Sequence, residues 1–463
     1  MNNTGEMYDK NENLAFIHAF NNGEYDDEFD NELGSDRSRV IPSAHTTQAS
    51  YNKPDNWRER NRIGLENVIQ RLKSCIDSVT RDNSFNLELT HNVNSLWDQL
   101  MDNEEPIVWH EPIVDEYWGR LEAEIDRRKR LDNVTTDIER ITIMNIEMKE
   151  ELLDALVDIF RSGRATNSIE HIDFDNVNLC EEGIRSVSKL VEVSYQLCYL
   201  YLDHNRIDNM ESARCLSRSL KSHTCIHTLH LTHCDLGSNP EILLVLLQSE
   251  IKYINLDNNN IDSLGVAKIA QYLESDPPID RIDLDHNRLN DDDAIIISQA
   301  LKRNTILRHL DLRLNNITFI GVKALLNCVF DSSSLNAISE SNHTLIYIYM
   351  FPDLFPEGGN KSLRGCVDRL LELDCTQKIL LALQDKESLL KYLANVPLKL
   401  MPEVLAFPLR RVVNQPQHKH FNMVYSMIRW WNMPMLYSYH HFDKSDTKRK
   451  RDDYILLSRK TIT

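Results

Sequence analysis

One apolar frame recurs along the middle of this 463-residue chain and restricts its fold more than any other feature. Leu197, Leu200, Leu202, Asn205 and Ile207 place apolar residues at offsets 0, 3, 5 and 10, with Asn at offset 8. The spacing returns at Ile226, Leu229, Leu231, Cys234 and Leu236, and again at Ile251, Ile254, Leu256, Asn259 and Ile261. It continues at Ile279, Ile282, Leu284, Asn287 and Leu289, then at Leu307, Leu310, Leu312, Asn315 and Ile317. The starts advance by 29, 25, 28 and 28 residues, so the tetrapeptide Asp-His-Asn-Arg appears at both Asp203 and Asp285, 82 positions apart. Offsets 3 and 5 fall on one face of a short strand. Asn or Cys at offset 8 stands where the strand turns, and its side chain can satisfy buried backbone groups of adjacent turns. One unit cannot bury its apolar face alone, so neighbours must stack.

Two degenerate copies precede these five. Ile169, Ile172, Phe174, Val177 and Leu179 keep the spacing with Val at the Asn position, and Ile138, Ile141, Ile143, Ile146 and Met148 also lack the Asn. Downstream, Leu335 and Ile338 start a frame that Glu340 and His343 break, so the array is expected to fade there. The second half of each unit has helical periodicity, as in Gly265–Ser275 and Gly321–Phe330. Ser238-Asn239-Pro240 supplies a cap followed by Pro in a first turn, and Pro277-Pro278 closes another helix. The frame is the leucine-rich repeat pattern. With about 28 residues and a full helix per unit, residues 138–345 resemble the ribonuclease-inhibitor-like class of leucine-rich repeats. The resemblance implies an α/β solenoid, a horseshoe with parallel strands on its concave side and helices on its convex side.

The flanks divide by composition. Residues 1–55 form an acidic tail of disordered character. Residues 56–137 carry helical stretches at Asn61–Val79 and Asp115–Leu131, expected to pack on the N-terminal end of the array. Residues 346–442 read as a helical C-terminal cap region, including Trp430-Trp431, and 443–463 as a charged tail.

Net charge is −19, which argues against nucleic acid and anionic membrane as main ligands. No apolar leader or membrane-length apolar run appears. Nine cysteines without a CxxC pair fit reduced thiols. The cytoplasm is the expected compartment, and Lys448-Arg449-Lys450-Arg451 is a candidate nuclear-import signal.

The candidate binding residues lie at offsets 4, 6 and 7, which point away from the core. Offset 4 carries Asp173, Tyr201, His230, Asn255, Asp283 and Asp311; offset 6 carries Asp175, Asp203, Thr232, Asp257, Asp285 and Arg313. Seven of these twelve positions are Asp. Strands stack roughly 5 Å apart, so the acids form a ladder of like charge that suits a basic protein partner. The alternative is that Asp recurs because the repeats are copies of one unit. His204, His233 and His286 join this face at offset 7. A metal site built from these histidines with Asp203 and Asp285 is disfavoured, because the two Asp-His pairs are roughly 14 Å apart. Asp291–Asp293 follow Asn290 and read as acids at a helix start. The His418/His420 and His440/His441 pairs have no metal-ligand spacing, and no phosphate loop, nucleophile elbow or zincin motif is present.

The leading expectation is therefore a non-enzymatic protein-interaction scaffold without cofactor or metal, binding a basic protein on its acidic concave face. The alternative is a regulator of a small GTPase, since Ran GTPase-activating proteins resemble this repeat class, though none of their functional residues is matched here. A third reading, an intracellular receptor, lacks any nucleotide-binding motif in this sequence. Oligomeric state is open.

Overall fold

A computed structural model describes residues 57–81, 84–90, 108–132, 136–163, 165–331, 333 and 335–350, with 371 and 378 as isolated positions. The chain divides into two compact units. The first comprises Met1–Phe330 and Ser341–Glu372, and holds a nine-stranded parallel sheet whose strands follow chain order. The described part of the second, Asp331–Glu340 and Leu373–Thr463, contains one short helix.

In order, the elements are α1 (Trp57–Arg81), β1 (Ser84–Thr90), α2 (Pro112–Asp132), β2 (Thr136–Met144), α3 (Glu150–Arg161), β3 (Ala165–Asp175) and α4 (Glu181–Val193). Then come β4 (Tyr199–Tyr201), α5 (Met210–Ser222), β5 (Thr228–His230), α6 (Pro240–Leu247), β6 (Tyr253–Asn255) and α7 (Ser263–Glu274). The series ends with β7 (Arg281–Asp283), α8 (Asp291–Leu301), β8 (His309–Asp311), α9 (Phe319–Val329), α10 (Leu335–Ser339) and β9 (Tyr347–Tyr349). The first unit is an open α/β leucine-rich-repeat solenoid, with a helix between each pair of consecutive strands.

Register follows the apolar frame. Offset 3 pairs with offset 3 across Ile172, Leu200, Leu229, Ile254, Ile282 and Leu310. These six side chains are at most 1% exposed, and together with the helix faces they form the core. The helices begin where the sequence supplies caps. At offset 11 the side chains of Cys180, Asp262, Asn290 and Thr318 each accept a backbone N–H of the first turn. Asn290 and Asp293 complete a reciprocal capping box, so the Asp291–Asp293 run is structural. The 25-residue repeat is shorter because a 3-10 turn at Leu236–Ser238 leads into the short α6, capped by Asn239 with Pro240 in its first turn.

The offset-8 side chains link neighbouring turns. Asn205 accepts N–H groups of Val177 and Leu179 and donates to the carbonyls of Phe174, Leu202 and Asp203. Asn259 does the same with Cys234, Leu236, Leu231 and Asp257, and Asn287 with Asn259, Ile261 and Leu256 of the turn before it. Cys234 reproduces the donor half: its Sγ donates to Leu202 O and Thr232 O. Offset 7 is left-handed in every repeat from Asn145 to Leu314, with φ between 50° and 60°. Asn and His tolerate that region better than most residues, which explains Asn145, Asn176, His204, His233, Asn258 and His286. Leu314 occupies it without that tolerance and is 37% exposed.

The sheet extends one strand beyond the frame matches at each end. The N-terminal region contributes β1, whose Leu87 and Leu89 pair with Ile141 and Ile143. This region is thus continuous with the sheet rather than purely helical. At the other end the array does not fade at Leu335. That segment is helical, and the frame restarts at Leu345, with Leu345, Ile348 and Met350 buried. The step from Leu307 to Leu345 is 38 residues, ten more than the step before it. Residues 331–340 belong to the second unit, which accounts for the longer step. The acidic tail, Trp430-Trp431, the paired histidines beyond 417 and the Lys448–Arg451 run lie outside the described residues.

Candidate functional site

Side chains at offsets 2, 4 and 6 project from the sheet on the side opposite the helices, because alternate strand residues face opposite ways. The predicted site residues all lie on this open face or its edge, but their ladder is interrupted. β5 contributes His230, followed by Thr232, and no acid. The acids therefore form two clusters: Asp173, Asp175 and Asp203 on one side, and Asp257, Asp283, Asp285 and Asp311 on the other.

Part of each cluster is already compensated. Asp283 is 4% exposed, and accepts from the Tyr253 hydroxyl at 2.7 Å and from the Arg281 guanidinium at 2.8 Å. Asp311 is 2% exposed and paired with Arg313 at 2.6 Å. Asp175 Oδ1 lies 2.7 Å from His204 Nδ1, and Asp285 Oδ1 lies 3.0 Å from His286 Nδ1. Asp203 and Asp257 reach along the sheet: each takes the backbone N–H of the next repeat, Thr232 at 2.6 Å and Asp285 at 2.7 Å. Asp173 has no such donor among the hydrogen bonds of the described residues.

Burial and the neighbouring acids set the proton affinities, and the hydrogen-bond donors oppose them. Burial, then the neighbouring Asp175 and Asp203, pushes Asp173 up to about 7. Burial, then Asp283 and Asp285, pushes Asp257 up to about 7. Burial raises Asp203 to about 6, against the opposing pull of the Thr232 N–H. Asp311 is also raised, chiefly by burial, although Arg313 opposes the shift. The face thus holds more negative charge than its own cations neutralise, and it is partly protonated near neutrality.

Aromatic rings run between the acids. His230 sits between Tyr201 and Tyr253, with ring centroids 4.4 and 5.2 Å away. Burial pushes His230 down to about 4, with Arg281 adding to the effect and Asp283 opposing it, so its imidazole is neutral at physiological pH. His204 and His233 stack at 4.6 Å. Loss of solvent at the sheet surface, then the nearby His204 and His286, depresses His233, although its outer edge is exposed. The repeated Asp-His-Asn-Arg now has a residue-by-residue account. Asp203 bridges to the next strand and Asp285 pairs with His286, His takes the left-handed turn, Asn joins adjacent turns, and Arg holds polar partners, Asp208 and Asp235 for Arg206 and Asn260 for Arg288.

The sequence reading passed over offset 2, although strand alternation places it on the same face. There His171 stacks on Tyr199 at 4.2 Å, Arg281 lies over the Tyr253 ring at 4.6 Å, and His309 stacks on Tyr347 at 5.1 Å. Arg281 and Arg313 also make the face less uniformly acidic than the tally of aspartates suggests. Among the described residues, one group has the spacing to hold a metal ion: Glu150, Cys180 and Glu182, at the starts of α3 and α4 and away from this face. Cys180 there already accepts the Gly183 N–H as a helix cap.

The fold and face define an α/β leucine-rich-repeat solenoid with an open, acidic and aromatic sheet. Over 194 residues the chain is 25% identical to NACHT, LRR and PYD domains-containing protein 5 of Mus musculus. That stretch is 41% of this chain and 16% of the relative, so the chain spans about a sixth of that protein's length. Among solved structures it is similar to Leiomodin-1 Actin-Binding Site 2 (ABS2) at 16% identity and a TM-score of 0.25, covering 45% of this chain and 96% of that one. No family model matches the chain. No helix among the described residues is long and apolar enough to cross a membrane.

Proposed function

We propose that the chain is a non-enzymatic protein-interaction scaffold of the ribonuclease-inhibitor-like kind, which takes a basic segment of a partner protein across its open sheet face. The observation that carries this reading is the pair of under-neutralised carboxylate clusters, in which Asp173 and Asp257 are held at about 7 by burial and by their acidic neighbours. A Lys or Arg side chain entering either cluster relieves that repulsion.

The test uses fluorescence anisotropy of a labelled oligolysine peptide with the full chain. In a triple variant, Asp173→Asn, Asp203→Asn and Asp257→Asn, the amide oxygen keeps the backbone hydrogen bonds while the charge is lost. A control, Glu151→Gln, Glu182→Gln and Asp292→Asn, removes the same number of carboxyl groups from exposed helix positions and at least as much charge. The triple variant is expected to weaken binding by about tenfold or more while the control changes it little. Equal loss in both would show that only overall charge is being sensed and would remove the site.

A further inference from the structure

The opposite edge of the same sheet has different chemistry. A groove of about 1000 Å³, open to solvent, crosses the strand starts on the N-terminal side. His227, Lys252, Asp280, Arg308 and Ile346 line it, and each is the offset-1 residue of its frame in five successive repeats. Five strands span roughly 19 Å centre to centre, the length of about six extended residues. The floor is partly apolar, with Pro278 and Ile306 exposed and the Tyr253 ring beside them.

The charges there are mainly positive. Lys252 is exposed and makes no ion pair with any described residue. Arg308 is 60% exposed on its side chain and 3.5 Å from Asp280, the single acid in the lining. Two imidazoles, His227 and His343, add donors. The backbone does not offer strand addition at this edge. The carbonyls of Lys252, Asp280 and Arg308 each already accept two N–H groups from the next repeat, at 2.8 to 3.0 Å. Recognition must come from side chains.

We propose that this groove binds an extended acidic peptide segment of a partner protein, with carboxylates on Lys252 and Arg308 and apolar side chains against Ile306 and Pro278. The groove adjoins the aspartate clusters at Tyr253 but shares none of their carboxylates, and it does not rest on the basic-partner reading. Together the two would make the face dipolar across its width, fixing a partner's orientation as well as its position.

The experiment titrates the full chain into a labelled peptide of alternating Glu and Leu, about six residues long to match the groove. Saturable binding is expected despite a net charge of −19 that repels such a peptide. Lys252→Glu and Arg308→Glu should each weaken it about tenfold, and the milder Lys252→Gln and Arg308→Gln less. Circular dichroism on each variant checks folding. The Asp173, Asp203 and Asp257 triple variant should leave this binding unweakened, whereas it weakens oligolysine binding about tenfold or more if the first reading holds. No saturable binding, or binding that the Gln and Glu variants leave unchanged, overturns the proposal. Equal binding of an alternating Lys and Leu peptide at Lys252 and Arg308 would do the same.

Discussion

Asn259 shows how one residue type organises the solenoid. It is fully buried, and its amide serves two N–H groups of the preceding repeat and two carbonyls. Asn259→Leu keeps the branched shape but leaves three of those groups without a partner, Asp257 O retaining the His233 N–H. The expected cost is about 2–5 kcal/mol, since each unsatisfied buried group costs on the order of 1–3 kcal/mol and the site can relax partly. A urea unfolding curve with an unshifted midpoint would contradict the linking role. The Asn was readable from sequence because its position is fixed by local spacing. The left-handed offset 7 was also written there, as a column of Asn and His, but it becomes meaningful only once the backbone turn is seen. The ion pairs Arg281–Asp283 and Arg313–Asp311 join residues two apart on one side of the chain, and reading offset 2 with offset 4 would have exposed the first.

Among the elements, legibility tracked how apolar each frame is. β3 to β8 were readable because each keeps several large aliphatic residues in phase. β1 was not, because its frame opens on Ser84 and retains Leu87 and Leu89 alone within the strand. β9 was hidden by the ten extra residues before Leu345, which put the next apolar match out of step. The short repeat around α6 carries its own steric constraint. A Cβ on Gly237 would stand 2.2 Å from the carbonyl oxygen of Asn260 and 2.8 Å from that of Asn259, both rigid backbone atoms of the next repeat. Gly237→Ala must therefore push two repeats apart at the 3-10 turn. A loss of about 1–3 kcal/mol is expected, as for other overpacked sites. Thermal melting of this variant beside Gly119→Ala, where a Cβ meets nothing within 4 Å, separates the clash from any general effect of replacing glycine. Equal melting temperatures would contradict the close packing of these turns.

At the scale of the whole molecule, nine strands in chain order make a surface whose properties are sums over repeats. The two carboxylate clusters arise because equivalent positions of adjacent repeats stand side by side, a proximity no single repeat contains. Their protonation gives the most direct test of the account. With free-state values of about 7, Asp173 and Asp257 are each about half protonated at pH 7. A cationic partner favours the ionised form and lowers both values, so binding at pH 7 must release protons, and affinity must fall as pH drops below 7. The measurement is isothermal titration calorimetry of oligolysine into the full chain at pH 7, in buffers of differing ionisation enthalpy. The account predicts a release of up to about one proton per complex, from two half-protonated groups, and no more than the roughly 0.1 proton that Asp203 could give from the Asp173→Asn, Asp257→Asn variant. Binding heats that do not depend on the buffer, or a release that the variant retains, would contradict the placement of the partner on the acidic clusters.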